Sequence, residues 1–169
     1  MTSLSGLSSL TAINSGIQVN SNPLLTSLAG LDAVTSTNVG IYIYGNTSLN
    51  SLAALSGFTA VNGYIVIIGC SALSSLSGLD NINSNSITSL TLSNNSMLSY
   101  CETPNICAYL ADPGNLATIS GNAPGCATRP EVETACAPVV CPTENLTFNT
   151  QQQIDDFPTN YPGCTVMPY

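Results

Sequence analysis

A chain of 169 residues is long enough to bury a sizeable core in one or two domains. It has no His and no Lys, Arg129 is its one basic residue, and nine acidic residues set the net charge at −8. Binding to nucleic acid or to an anionic membrane needs clustered Lys and Arg, so neither partner is expected. The 44% of residues that are hydrophobic recur too regularly for a disordered segment, and a charged content of only 6% is unlike an ordinary cytosolic enzyme.

Met1-Thr-Ser-Leu lacks the basic start and long apolar stretch of a signal peptide. No apolar run reaches the roughly 18 residues that span a bilayer, so no membrane insertion is expected. The opening residues already read as repeat, which places any export signal upstream of them.

Over residues 1–100 a 24-residue offset aligns Ile17 with Ile41 and Ile65, then Val19 with Ile43 and Ile67, and Leu25 with Leu49 and Leu73. Further columns hold Leu4, Leu28, Leu52 and Leu76, then Leu7, Leu31, Leu55 and Leu79, and last Leu10, Val34, Phe58 and Ile82. One inserted residue near Asn85–Thr88 shifts the next copy, which resumes with Leu90, Leu92, Leu98 and Cys101. Each copy begins with period-two alternation, the pattern of a short strand with one buried face. Apolar residues at every third position follow, which suits turns or 3₁₀ segments better than an α-helix. Such a unit cannot bury its apolar side alone. Stacked about 4.8 Å apart, successive units would form a right-handed leucine-rich-repeat solenoid with one parallel strand per coil.

Asn22, Asn46, Cys70 and Asn95 occupy one column just past the strand, and Asn122 closes a last strand-like stretch, Ala117-Thr-Ile-Ser-Gly. A buried Asn there can satisfy turn backbone groups that have no other partner. Cys70 is read as a ladder residue replacing Asn, because no His accompanies it for metal or redox work. Ser3, Ser27, Ser51 and Ser75 form a further column, as do Thr11, Thr35 and Thr59. One interrupted Thr column falls short of the broad ranks an ice-binding face needs.

Residues between the inward strand positions point outward. They are Gln18 and Asn20, Tyr42 and Tyr44, Val66 and Ile68, then Thr91 and Ser93, with Tyr64 one step earlier. Tyr42, Tyr44, Tyr64, Val66 and Ile68 therefore make the candidate ligand-binding patch. The competing reading is that a neighbouring module, a fibre contact or a missing loop covers them.

From Cys101 the composition changes. Cys101–Asp112 reads as a short helix with Thr103 at its N-cap and Pro104 in its first position, and Pro130–Cys136 as another. Residues 101–140 are taken as a cysteine-rich cap over the open end of the array. Cys141 and Cys164 bracket the last segment and are paired with each other. The four other cysteines outside the ladder allow three connectivities. Zinc is a poor alternative without a C-x₂-C pair or a His. Residues 141–169 are read as the opening of a following module: a strand at Leu146–Phe148, a helix from Gln151 to Phe157 capped by Thr150, and a strand from Cys164.

The chain resembles the receptor-L-domain type of leucine-rich repeat found in large secreted bacterial surface proteins. The resemblance rests on Leu-Thr-Ser-Leu-Ala-Gly-Leu-Asp (25–32), Leu-Ser-Ser-Leu-Ser-Gly-Leu-Asp (73–80), the closing Asn122-Ala-Pro-Gly-Cys126 with Glu131-Val-Glu-Thr-Ala-Cys136, and the opening Thr147–Phe157 with Asn160-Tyr-Pro-Gly-Cys164. It implies a multi-module, cell-surface setting with an adhesive role, and it brings no catalytic residues. By analogy with the caps of such proteins it implies the disulfides Cys101–Cys126 and Cys107–Cys136.

Catalysis finds little support. Nucleophilic triads need a base, and neither His nor Lys is present. Asp32 and Asp80 share a column with Ser56 between them, roughly 10 Å apart, and are read as solvated turn residues. Asp155 and Asp156 are read as helix surface instead of a calcium site. No phosphate loop is present, and no metal or cofactor is expected. Asn46-Thr-Ser, Asn94-Asn-Ser and Asn145-Leu-Thr match the glycosylation pattern, a common one in Ser/Asn-rich sequence. The expected function is non-enzymatic binding of a protein or carbohydrate at an extracellular or cell surface, through the outer strand face. The alternatives are a spacer touching only neighbouring modules of the same polypeptide, and an accessory targeting module of a larger secreted enzyme.

Overall fold

The computed structural model describes residues 1–137, 146–160 and 164. The chain divides into two units, Met1–Cys136 and Ala137–Tyr169.

In the first unit, five strands form one parallel sheet in sequence order: β1 (Ile17–Asn20), β2 (Gly40–Tyr44), β3 (Gly63–Ile68), β4 (Ile87–Ser93) and β5 (Leu116–Ser120). Ile17 lies opposite Ile41, Ile41 opposite Ile65, and Ile65 opposite Leu90. β-Branched residues suit this pleated, half-buried surface. Their inward side chains, Val19, Ile41, Ile43, Ile65, Ile67, Leu90 and Leu92 among them, are buried. The inserted residue of the fourth repeat is Thr88. Gly63 faces Ile87 and Tyr64 faces Ser89, so Thr88 is the extra residue of a β-bulge.

The segments between strands supply the rest of one continuous core. Leu25, Leu49, Leu73 and Leu98 are buried, and so are Leu28, Leu52 and Leu76. Each such side chain contributes about 1.5–3 kcal/mol relative to exposure. Parallel bridges also join neighbouring repeats away from the sheet, at Ser27 with Ser51, Ser36 with Ala60 and Ser75 with Tyr100.

The connecting segments alternate between two forms. Ser5–Leu7 and Ala53–Leu55 are 3₁₀ turns. In the repeat that follows each of these, Gly30 and Gly78 take φ of +116° and +107°, a region L side chains avoid. Their amides donate to Asp32 Oδ2 at 2.8 Å and Asp80 Oδ2 at 2.7 Å. The structural period is thus two sequence repeats.

Helices α1 (Pro104–Leu110) and α2 (Arg129–Cys136) follow the fourth strand and flank the fifth. Ile106, Tyr109, Leu110 and Val132 join the same core as the repeats. Thr103 holds the N-cap position of α1, yet its hydroxyl donates to Asn105 Oδ1 at 2.8 Å and caps no helix amide. The partner Asn105 is itself fixed, because its side-chain amide donates to the carbonyl of Leu79. Disulfides link Cys101 with Cys126 and Cys107 with Cys136, the two pairs the resemblance implied. Arg129 donates to the carbonyls of Asn115, Leu110 and Asp112 and pairs with Glu133 at 2.6 Å. It thereby ties α2 to the turn between α1 and β5.

In the second unit Thr150 caps α3 (Gln151–Asp155) in a capping box with Gln153, and α4 (Phe157–Asn160) follows. The single helix expected over 151–157 is broken near Asp156, because Pro158 offers no amide hydrogen to continue the ladder. Leu146–Phe148 takes no strand. Alternation cannot make a strand where, among the described residues, no neighbouring strand pairs with it. Cys164 is disulfide-bonded; Cys141, the partner expected for it, and the strand expected after it fall on residues outside those described. Among the described residues no helix is long and apolar enough to cross a membrane.

Candidate functional site: the outward sheet face

The parallel register sorts the outward side chains into three rows across the strands. Gly40, Tyr64, Ser89 and Leu116 form the first. Gln18, Tyr42, Val66, Thr91 and Thr118 form the second, and Asn20, Tyr44, Ile68, Ser93 and Ser120 the third. The five expected patch residues therefore lie side by side on β2 and β3. Tyr44 and Tyr64 are 53% and 43% exposed, enough area for a ligand to cover. Tyr42, Val66 and Ile68 are half-buried. The Tyr42 and Tyr64 rings meet diagonally, with centroids 6.0 Å apart and planes tilted by 56°.

Polar groups border this patch on both sides. Gln18 and Asn20 are exposed on β1. On β4 and β5 stand Ser89, Thr91, Thr118 and Ser120, with the Ser93 and Ser120 hydroxyls 3.3 Å apart. No residue of any of the five strands is charged. Ser89, Leu116, Thr118 and Ser120 were not included in the face read from the sequence. The bulge at Thr88 shifts Ser89 onto the outer side, and the last strand lies beyond the regular 24-residue copies.

The Asn column lies at the edge of the sheet and builds the turn that ends each strand. Asn46 Oδ1 accepts the backbone N–H of Asn22 at 3.0 Å, Asn95 Oδ1 that of Cys70 at 2.9 Å, and Asn122 Oδ1 that of Asn95 at 3.0 Å. Asn46, Asn95 and Asn122 each donate back to a strand carbonyl of the preceding repeat, at Val19, Ile67 and Leu92. Cys70 keeps part of this pattern. The N–H of Asn46 donates to its sulfur, and its thiol lies 3.8 Å from the Ile68 carbonyl. Burial pushes the Cys70 pKa up, the Asn46 N–H opposing it in part. A buried, protonated thiol is inert. Just before the ladder, every repeat turns through a left-handed residue: Ser21, Gly45, Gly69, Asn94 and Gly121.

Among the described residues the carboxylates make local hydrogen bonds. Asp32 and Asp80 each commit one oxygen to a glycine amide of their own repeat. A hollow of about 280 Å³ beside Asp80 is lined by Asn50, Ser51, Leu52, Ala53, Ser56, Ser75, Ser77 and Gly78. Gln151 and Gln152 donate to Asp155 and Asp156 along the face of α3. Glu131 accepts from the amides of Gly125 and Ala127, which hold its pKa below the ordinary carboxylate value. Asn46 of the first glycosylation motif is fully buried, whereas Asn94 of the second is exposed.

No family model, curated protein or solved structure matches this chain.

Proposed function

We propose that the chain is a right-handed leucine-rich-repeat solenoid of the receptor-L-domain type. In this reading it is a non-enzymatic module of a bacterial cell-surface or secreted protein that binds protein or glycan through the outer sheet face. The observation that carries the reading is the exposed tyrosine–aliphatic patch on β2 and β3, bordered by uncharged polar side chains. A contiguous exposed patch of this composition is typical of an interaction site. Two disulfides suit an oxidising compartment.

The test is a Tyr42→Ser/Tyr44→Ser variant in cell- and matrix-adhesion assays. Both side chains lie on the outer face, so the fold is expected to survive and adhesion to be lost. Unchanged adhesion would assign the face to contact with neighbouring modules of the same polypeptide.

A further inference from the structure

Resting on the reading of the sheet face as a binding surface, we propose that its ligand is a neutral polysaccharide laid across the strands. Charge is the first argument. The chain carries nine acids, yet none lies in the five strands, and the three outward rows hold no ionisable group but tyrosine. A net charge of −8 repels polyanions, and Arg129 is held by Glu133 and three carbonyls in the α2 region. An anionic polymer is therefore disfavoured, and the strand face itself offers a charged ligand no ionic partner.

The side-chain chemistry separates sugar from protein. Protein hot spots favour Trp, Tyr and Arg and are poor in Ser and Thr. Here a tyrosine field on β2 and β3 passes directly into hydroxyls at Ser89, Thr91, Thr118 and Ser120, with amides at Gln18 and Asn20 on the other side. Hydroxyls and amides both donate and accept, as sugar hydroxyls do. Tyrosine supplies a flat apolar face with a polar tip, and pyranose rings offer a matching apolar side.

Shape selects a polymer. Small ligands are held in concave pockets, whereas this face is a sheet surface. Strands lie about 4.8 Å apart, comparable with the rise of one sugar ring in an extended glycan. Each sugar of a chain crossing from β1 to β5 thus meets one strand, and the run from Gln18 through Tyr42, Val66 and Thr91 to Thr118 lies along that path.

The test is retention of the whole chain on neutral polysaccharides (cellulose, xylan, galactomannan, starch, laminarin), with alginate and polygalacturonate as acidic probes and a collagen-coated surface as the protein probe. The expected result is retention on at least one neutral polymer, equal at low and high salt. Tyr42→Ala and Tyr64→Ala weaken it about tenfold or more, Tyr42→Phe keeps it, and thermal unfolding of all variants matches the parent. Retention on acidic polymers alone, or on neutral ones with no effect of either alanine variant, overturns the proposal. Tyrosine-dependent binding to collagen with no retention on neutral polymers also overturns it, while leaving the adhesive reading in place. Binding to none of the probes counts against both.

Discussion

The side-chain carbonyl of Asn46 accepts the backbone N–H of Asn22 across 3.0 Å, although the two residues stand 24 positions apart in the chain. The same side chain donates to Val19 and Tyr44, and it is fully buried. Asn46→Ala takes the acceptor from the Asn22 N–H and a donor from the Val19 carbonyl, while the Tyr44 carbonyl keeps the Ser21 N–H; a buried polar group that loses its partner costs about 1–3 kcal/mol. The expected loss in a urea titration is on the order of 2–4 kcal/mol. Asn22→Ala, at the more exposed start of the ladder, is expected to lose no more than about 1 kcal/mol.

Cys70 sits where the ladder otherwise has Asn. An Asn at this position is placed to reach the carbonyl of Ile43, which shares a column with the acceptors Val19, Ile67 and Leu92. Cys70→Asn is therefore expected to be neutral or to stabilise by about 0.5–1.5 kcal/mol. The raised Cys70 pKa also carries a pH dependence. Above the ordinary thiol value, about 8.5, the unfolded chain loses its proton while the folded one keeps it. Stability is then complete at lower pH and declines as pH rises. Tyr109, raised mainly by burial, adds a decline of the same sign near the higher phenol range. In Cys70→Asn the first of the two declines should vanish from the stability profile.

Gly69 turns the chain just before Cys70 with φ of +67°. A β-branched side chain is strained there by roughly 1–2 kcal/mol. Gly69→Val is expected to lower the unfolding midpoint accordingly, whereas Asn94→Gly, at φ of +57°, should be close to neutral. A large loss in Asn94→Gly would contradict a purely conformational role for this column.

In the cysteine-bearing segment, Glu131 is held below its ordinary pKa by the Gly125 and Ala127 amides. A lowered carboxylate pKa stabilises above the unfolded value, about 4.3, and that contribution is lost as pH falls through the folded one. Glu131→Gln should reduce stability at neutral pH and flatten the acid limb of the curve. Replacing Cys107 and Cys136 by Ser, which opens a link spanning 29 residues, is expected to remove about 3 kcal/mol. Urea titrations across pH check both.

Strand register was legible because one column of branched aliphatics recurs at a constant offset, and Ile17, Ile41 and Ile65 do lie side by side. The two-repeat alternation was not. The leucine columns are the same in both forms, and only Gly30 with Asp32 against Ala54 with Ser56 marks the difference. Asp32 and Asp80 are exposed turn residues, as the sequence suggests, but composition does not reveal that one oxygen of each is folded back on a glycine of its own repeat. The left-handed column preceding the ladder left a signal in Gly45, Gly69 and Gly121, but Ser21 and Asn94 obscure it. The outward face was legible as far as the alternation ran, and the bulge at Thr88 hid Ser89.

The candidate face depends on neighbouring repeats setting Gln18 beside Tyr42 and Tyr42 beside Val66. Paired cysteines test that arrangement directly, because a disulfide needs Cα atoms roughly 4.4–6.8 Å apart and adjacent strands lie about 4.8 Å apart. Gln18→Cys with Tyr42→Cys is expected to cross-link under mild oxidation, while Gln18→Cys with Val66→Cys, two strands apart, stays reduced by intact mass. Cross-linking of the second pair and not the first would contradict the arrangement.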